Sequence, residues 1–541
     1  KILMNYKDLI KNGIDLARNG KFIEAENNFK QAIEQDSSLT DSYINLANIF
    51  VMQNRIDESI NILKSYLFDI CFNLNIINHF WKISQNFGKE YKFFKTISSF
   101  ADSNTLNKKD LAYIYYLHGR YYAKTNDIEL SIEYFKKSIF FDELFTDSYI
   151  NLVDWLERIN EISQANLYLN KFTNIVKKID LKIKFFEALL LSREKQYKKS
   201  ENILNKYELG KYFEKDKYYY IRILNLKSKN NERLKKFSIA YNSIVKRNLF
   251  LSSLEENIKI DRGDFDQTMK NYKQVYSKAD KTVGINKLKI SKKIDLTFLV
   301  GFPRSGTTLL DTILRTHSKT LVLEEKNYLE NTRNYYFTSK NNRLDAIKNI
   351  SSEEIINLRK YYFDQINIDY KNIKNVIDKL PLTITELGFV KKIFPDAKII
   401  LALRHPCDVV ISCYFSSFKI NRAMINFLSI KNTVNFYNKV LDLFEFYENE
   451  LNLDIIKIKY EDIIYNFENE TKKLFKFLNL DYEQGIKKFY ETARNRKMIS
   501  TPSYSQVTNP IYSSSIGRWK NYESLVKIEK PLRKWIKRLN Y

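Results

Sequence analysis

The stretch Phe298-Leu-Val-Gly-Phe-Pro-Arg-Ser-Gly-Thr-Thr-Leu-Leu310 indicates the fold of the C-terminal half of this 541-residue chain. An apolar run typical of a buried strand leads into a turn that contains Gly301 and Gly306, and a helical pattern follows at once. In such a turn the backbone N–H groups and the N-terminus of the helix point towards one place. The stretch therefore predicts a phosphate-binding loop at the end of a strand.

The two glycines of this loop have the spacing of the nucleotide-binding P-loop pattern G-x-x-x-x-G-K-[ST]. Thr307, however, stands where kinases and ATPases carry the lysine that reaches the β- and γ-phosphates. The sequence thus predicts a loop that holds a phosphate group and argues against a P-loop nucleotide kinase.

Beyond this loop, short apolar runs alternate with helical patterns. The predicted strands are Leu296–Val300, Asn375–Asp378, Lys398–Leu403 and Ile455–Lys459, and the predicted helices are Leu309–Arg315, Thr383–Phe394, Val409–Phe418 and Thr433–Asn449. Such alternation predicts a mostly parallel sheet covered on both faces, with ligands at the carboxyl ends of the strands. Because the glycine loop, Lys379 and Arg404 all follow such ends, we expect them to share one site.

The N-terminal half repeats itself. Thr40–Leu46 and Thr146–Leu152 are identical and lie 106 positions apart, close to three periods of about 34 residues. The small–aromatic–small positions Ala25, Phe29 and Ala32 recur in the same register. This half resembles a tetratricopeptide-repeat array, which implies stacked helix pairs and a groove for a protein or peptide partner. We predict the array over residues 1–270, a linker over 271–293 and a second domain over 294–541.

Composition excludes several classes of protein. The formal net charge is +25, but no concentrated basic block indicates a nucleic-acid partner. Three cysteines and four scattered histidines favour neither disulfides nor a metal site. No run of about 18 apolar residues indicates a membrane span. We expect a soluble, cytoplasmic protein without a metal; the oligomeric state stays open.

Two further segments complete the motif set: Lys398–Ser412, a strand followed by Arg404 and a helix bearing Ser412, and the terminal Gly517–Asn521. Together with the loop they resemble sulfotransferases that use 3′-phosphoadenosine-5′-phosphosulfate (PAPS), and within that superfamily the protein-tyrosine sulfotransferases. The two resemblances imply an α-helical tetratricopeptide solenoid followed by an α/β, P-loop-like sulfotransferase domain with a mostly parallel sheet.

The second resemblance also implies roles for individual residues. Glu325 corresponds to the catalytic base, while Lys379, Ser503 and Arg304 correspond to groups that stabilise the transition state. The residues implied to bind PAPS are Arg304, Ser305, Gly306, Thr307, Thr308, Arg404, Ser412, Tyr460, Gln506, Val507, Pro510 and Arg518. Lys379 also has a purely structural interpretation, an ion pair with its neighbour Asp378.

The sequence indicates the acceptor of the sulfuryl group less clearly than it indicates the donor, PAPS. The resemblance implies transfer of a sulfuryl group to a hydroxyl acceptor, foremost a protein tyrosine, by in-line displacement. Yet the segment Lys326–Asn331 lacks the arginines with which tyrosine-sulfating relatives hold an acidic peptide. Sulfation of a glycan or small molecule is therefore an alternative, as is a catalytically inactive tetratricopeptide scaffold.

Overall fold

The computed structural model describes residues 5–102, 106–176, 180–261, 263–276, 294–341, 343–366, 372–494 and 513–541. The chain divides into two compact units, Lys1–Glu194 and Lys195–Tyr541.

The first unit is built from helices that pack in consecutive pairs. They are α1 (Tyr6–Arg18), α2 (Phe22–Gln35), α3 (Thr40–Met52), α4 (Ile56–Ser65), α5 (Leu74–Asn86), α6 (Glu90–Ala101), α7 (Lys108–Lys124), α8 (Ile128–Phe141), α9 (Thr146–Arg158), α10 (Ile162–Ile175) and α11 (Leu181–Arg193).

The predicted repeat is confirmed at the level of single contacts. A Cβ at Gly13 would lie 2.8 Å from the Phe29 ring, and one at Gly119 would lie 2.7 Å from the Phe135 ring. Each pair joins the two helices of its own hairpin, α1–α2 or α7–α8. Corresponding residues of the two pairs lie 106 positions apart in the sequence. In both hairpins glycine lets the aromatic ring of the second helix approach the first helix closely. The N-terminal unit is therefore a tetratricopeptide-type helical array.

The second unit begins with further helices and continues into the sheet. The helices before the sheet are α12 (Tyr197–Lys206), α13 (Leu209–Tyr212), α14 (Lys217–Arg233), α15 (Phe237–Ser253), α16 (Glu255–Ile258) and α17 (Gly263–Val275). The strands are β1 (Asp295–Gly301), β2 (Thr320–Glu324), β3 (Asn375–Lys379), β4 (Lys398–Leu403) and β5 (Asp454–Lys459).

The remaining helices surround this sheet. They are α18 (Thr307–Arg315), α19 (Tyr328–Ser339), α20 (Ser352–Asp364), α21 (Leu387–Ile393), α22 (Pro406–Phe415), α23 (Ile430–Glu450), α24 (Tyr460–Tyr465), α25 (Phe467–Phe477), α26 (Phe489–Arg494), α27 (Glu523–Val526) and α28 (Glu529–Arg538).

The strands form one sheet in the order β2-β3-β1-β4-β5, and every neighbouring pair is parallel. Side chains of β1 alternate between the two faces: Phe298 and Val300 pack into one core, whereas Leu299 packs into the other. The predicted parallel sheet with both faces covered is confirmed.

Local differences from the predicted elements have physical reasons. Helix α18 begins at Thr307 rather than Leu309, because Gly306 adopts a positive φ of 97° and provides the N-cap. The predicted helix Thr383–Phe394 divides into a 3₁₀ turn, Pro381–Glu386, and the α-helix α21. The helix of Ser412 starts earlier, at Pro406, a residue suited to the first turn of a helix.

Helices α12–α17, which span residues 197–275, belong to the same compact unit as the sheet. The boundaries of the array (1–270), the linker (271–293) and the second domain (294–541) stay predictions. Of the linker, residues 277–293 lie outside the described residues.

Candidate functional site

The loop after β1 is shaped by close approaches that exclude larger side chains. A Cβ at Gly301 would lie 2.7 Å from the backbone oxygen of Ala402 on the neighbouring strand, and one at Gly306 would lie 3.0 Å from the Tyr460 ring. Between the glycines, Arg304 adopts a positive φ of 72°. The loop therefore leads from the strand end into the first turn of α18, whose N–H groups carry the positive end of the helix dipole.

Lys379 is the last residue of β3, and its side chain is fully buried. Its Nζ lies 2.9 Å from Oε1 of Glu325, 3.5 Å from Oε1 of Glu324 and 3.6 Å from Oδ2 of Asp311. Three carboxylates thus surround one buried ammonium group. The structure brings Lys379 and Glu325 together, as expected from the sequence.

Asp378 lies on the other face of the sheet, because successive strand residues point in opposite directions. Its carboxylate accepts a hydrogen bond of 2.7 Å from the hydroxyl of Tyr362. Burial raises the pKa of Asp378 to about 7. The interpretation of Lys379 as an ion-pair partner of Asp378 is therefore wrong.

Glu325 is held at the edge of the sheet by its backbone. Its N–H donates to the Lys379 carbonyl at 2.8 Å, and its φ of 48° is left-handed. Its side chain remains 36% exposed although one oxygen contacts the ammonium group, whereas the side chain of Glu324 is only 12% exposed. Of the two neighbouring carboxylates, Glu325 is thus the more accessible to solvent.

Asp311 is a site residue that sequence reasoning missed. It lies on α18, one turn after Thr307, is fully buried, and accepts a hydrogen bond of 2.6 Å from Nε of Arg315. The available signal is that Asp311 is the one charged residue in the stretch Thr307–Leu314. Asp311 links the helix of the loop to Lys379.

A second cluster lies on the other side of the loop. Nε of Arg304 donates to the hydroxyl of Ser412 at 3.0 Å, and Arg404 donates through Nη1 to the Arg304 carbonyl at 3.4 Å and through Nη2 to the Ser515 carbonyl at 2.5 Å. The Arg404 guanidinium lies 5.0 Å from the centre of the Tyr460 ring. The structure thus brings together Arg304, Arg404, Ser412 and Tyr460.

Arg404 is nearly buried, yet its Nε has no hydrogen-bond partner in the part of the chain that the structure describes. An unmade hydrogen bond of a buried charged group is costly, so such groups occur where a ligand supplies the partner. Two guanidinium groups and a hydroxyl converge here, and this donor set fits a phosphate group.

The Arg518 guanidinium forms an ion pair with a carboxylate and does not join the cluster of Arg304 and Arg404. Its Nε and Nη2 donate to the two carboxylate oxygens of Glu232 on α14, at 2.5 and 3.0 Å, and its guanidinium lies over the Phe415 ring. Its role in cofactor binding stays a prediction. Ser503, Gln506, Val507 and Pro510 lie outside the described residues.

The histidines nearest the site have structural contacts. Nδ1 of His405 accepts from the Cys407 N–H at 3.3 Å, and its ring stacks on Trp519 with centroids 5.4 Å apart. Nε2 of His317 lies 2.9 Å from the Asp481 carbonyl, and its ring stacks on Phe475. In the described residues, no group of three or more His, Cys, Asp or Glu side chains is arranged to hold a metal ion.

Residues 297–484 match the family model described as "Sulfotransferase family". Over 234 residues the chain is 26% identical to an uncharacterized protein of Aquifex aeolicus (strain VF5), and over 239 residues it is 23% identical to protein-tyrosine sulfotransferase 1 of Danio rerio. Each match covers 42% of this chain; they cover 30% of the Aquifex protein and 66% of the zebrafish protein.

The sulfotransferase domain of the Synechococcus PCC 7002 olefin synthase is similar over 47% of this chain and 97% of its own length, with 17% identity and a TM-score of 0.34. None of the helices in the described residues has the length and apolar character needed to cross a membrane.

Proposed function

We propose that this protein transfers a sulfuryl group from PAPS to a hydroxyl acceptor, a protein tyrosine, since residues 297–484 match the family model described as "Sulfotransferase family". The observation that carries the proposal is the contact of 2.9 Å between Lys379 and the exposed carboxylate of Glu325, beside a glycine loop suited to phosphate. This contact supports an acid–base role for Glu325 beside the buried ammonium group of Lys379.

The described residues fit the two anionic ends of PAPS. The backbone of residues 304–308 and the start of α18 would hold the 5′-phosphosulfate. Arg404 and Ser412 would hold the 3′-phosphate, since Arg404 has a buried Nε without a partner in the described parts of the chain. When bound, PAPS supplies an activated sulfuryl group on a phosphate leaving group, so the lysine of a P-loop kinase is not needed at Thr307.

In the proposed reaction Glu325 accepts the proton of the acceptor hydroxyl while the oxygen of that hydroxyl bonds to sulfur. The bond from sulfur to the bridging oxygen breaks in the same step, and negative charge grows on that oxygen. A phenol has a pKa near 10 and is a weak nucleophile at neutral pH, so a positioned base accelerates the step. The ammonium group of Lys379 and the guanidinium of Arg304 provide the stabilising positive charge.

The choice of a tyrosine acceptor is supported by the similarity to the zebrafish enzyme. A protein or peptide partner is supported by a cavity of about 660 Å³ among α12–α15, which has room for several side chains. Its lining includes five lysines and two glutamates: Lys198, Lys211, Lys227, Lys236, Lys246, Glu201 and Glu214. This excess of positive charge favours a partner with acidic residues.

We further propose a cytoplasmic location. The free thiols of Cys71, Cys407 and Cys413 support a reducing compartment.

The acceptor is tested by incubating the full chain with ³⁵S-labelled PAPS and a panel of acceptors. We expect label on an acidic peptide that contains one tyrosine and none on the same peptide with phenylalanine instead. Label on a phenolic small molecule or a glycan alone would replace the tyrosine acceptor. Absence of label on every acceptor, with PAPS bound, would favour an inactive scaffold.

A further inference from the structure

Arg247 lies on α15, in the last long helix pair before the sheet, and only 1% of its surface is exposed. All five of its N–H groups have acceptors. Nε donates to Asn248 Oδ1 at 2.9 Å, and Nη1 donates to Asn225 Oδ1 at 2.5 Å and to the Phe415 carbonyl at 2.9 Å. Nη2 donates to the carbonyls of Tyr414 at 2.8 Å and Ser416 at 3.3 Å.

Three of these acceptors are consecutive carbonyls at the C-terminal end of α22. The last carbonyls of a helix have no partner within it and carry the negative end of its dipole. A buried guanidinium group satisfies them and is itself stabilised by their partial negative charge. Burial lowers the pKa of Arg247 to about 10, so the group remains protonated at neutral pH.

The helix that Arg247 caps also carries Ser412. The Ser412 carbonyl accepts from the N–H of Ser416 at 3.1 Å and from its hydroxyl at 2.7 Å, and the Ser412 hydroxyl accepts from Nε of Arg304 at 3.0 Å. The end of α22 is therefore joined on one side to Arg247 and on the other to the loop. A displacement of this helix end would move the Ser412 hydroxyl.

Other residues of the same helix pair contact the same region. Nδ2 of Asn225 donates to the Ser417 hydroxyl at 3.2 Å, and Nδ2 of Asn248 donates to the Tyr414 carbonyl at 3.2 Å. Glu232 on α14 pairs with Arg518. The connection between this helix pair and the region around the end of α22 thus rests on several polar contacts rather than on one.

We propose that Arg247 is a positioning residue for nucleotide binding: it fixes the end of α22 so that the Ser412 hydroxyl, together with Arg404, is in place for the 3′-phosphate. The helix pair α14–α15 then supports the nucleotide site, although it lies within the predicted repeat array of residues 1–270. The identity of the nucleotide rests on the proposed function, whereas the hold on α22 does not.

The test compares the full-length protein with Arg247→Met and Arg247→Lys. Arg233→Met is the matched control, because Arg233 lies on α14 and is exposed. Calorimetry measures the affinity for adenosine 3′,5′-bisphosphate and for ADP, which lacks the 3′-phosphate. Hydrogen exchange of residues 404–418 in the nucleotide-free proteins measures the hold on the helix directly.

We expect Arg247→Met to lower the affinity for the 3′,5′-bisphosphate by about tenfold, as for other residues that support a ligand-binding group. The affinity for ADP should change far less. Exchange over residues 404–418 should accelerate. Arg247→Lys keeps three N–H donors, so its nucleotide affinity and its exchange rate should lie between those of the wild type and Arg247→Met. If the methionine variant does not fold, the lysine variant provides the test. Arg233→Met should match the wild type.

Equal losses for both nucleotides, or an unchanged affinity in a folded variant, would overturn the positioning role. If the wild type binds neither nucleotide, the proposed function is wrong. Hydrogen exchange alone then tests whether Arg247 holds the end of α22. Faster exchange in the variant would then still establish the hold on α22, and unchanged exchange would refute it.

Discussion

The Nζ atom of Lys379 lies 2.9 Å from Oε1 of Glu325, where two neighbouring parallel strands end. The lysine is buried and the glutamate is partly exposed, so the pair spans the boundary between the protein core and the solvent. In the proposed reaction the exposed partner accepts a proton and the buried partner stabilises negative charge.

Glu325→Gln should reduce sulfuryl transfer by about 10²- to 10⁴-fold, the usual contribution of a general base. Binding of the product nucleotide should change little, because the amide preserves the shape of the side chain. Steady-state turnover and calorimetry measure the two effects. The control is Glu330→Gln, an exposed glutamate on α19, which should retain most activity. A collapse of nucleotide affinity in Glu325→Gln would refute its assignment as the base.

Asp311→Asn should lower turnover and reduce the free energy of unfolding by roughly 1–3 kcal/mol, since buried Lys379 and the Arg315 side chain each lose a charged partner. Chemical denaturation and single-turnover assays provide the measurements. Asp345→Asn is the control, because the Asp345–Arg343 ion pair is exposed and should contribute little. Wild-type stability and turnover in Asp311→Asn would show that Asp311 does not support Lys379.

Arg404→Ala should weaken the product nucleotide by roughly 1.5–3 kcal/mol, the range for a hydrogen bond to a charged group. The loss should be largest for nucleotides with a 3′-phosphate and should shrink for ADP. Calorimetry measures the affinity of the variant for adenosine 3′,5′-bisphosphate and for ADP. Arg233→Ala, at an exposed position, serves as the control. An affinity equal to that of the wild type would remove Arg404 from the 3′-phosphate site.

Asp378 should make stability depend on pH. Its folded pKa of about 7 exceeds the unfolded value near 4, so the folded state binds the extra proton and loses stability as pH rises between these values. From pH 5 to pH 8 this residue alone should cost roughly 2–3 kcal/mol. Asp378→Asn should remove this part of the pH dependence, as urea denaturation at both pH values would show. An equal change in the free energy of unfolding between pH 5 and pH 8 in the variant and the wild type would contradict this role of Asp378.

A chain that begins at residue 195 should retain the nucleotide site, whereas one that begins at 271 should not. The shorter chain lacks Arg247 and Glu232, so α22 loses its cap and Arg518 loses its carboxylate partner. Thermal unfolding and nucleotide binding compare the two chains. A cooperative transition and full affinity in the shorter one would be inconsistent with this role of the helix pair.

Local patterns in the sequence predicted the features that depend on local structure. The strand before Gly301, the helix after Gly306 and the repeat that joins Gly13 to Phe29 were all correct, because hydrophobic period and glycine placement act over short distances. Strand β2 was missed. Its short run Thr320–Leu323 ends in two glutamates, and these were interpreted for their chemistry rather than as a strand end.

The remaining features depend on contacts between distant parts of the chain. Nothing near Asp311 in the sequence indicates that Lys379 lies beside it, and the pairing of Arg518 with Glu232 joins residues 286 positions apart. Arg247 was missed for the same reason, since its carbonyl acceptors at Tyr414–Ser416 are more than 160 positions away. Such pairs become visible only when the fold brings their elements together.

The most informative single experiment is calorimetric titration of the full-length protein with adenosine 3′,5′-bisphosphate, with ATP and Mg²⁺ as the comparison. We expect micromolar or tighter binding of the bisphosphate and no comparable binding of ATP. A preference for ATP, or no binding of the bisphosphate, would contradict a sulfotransferase site.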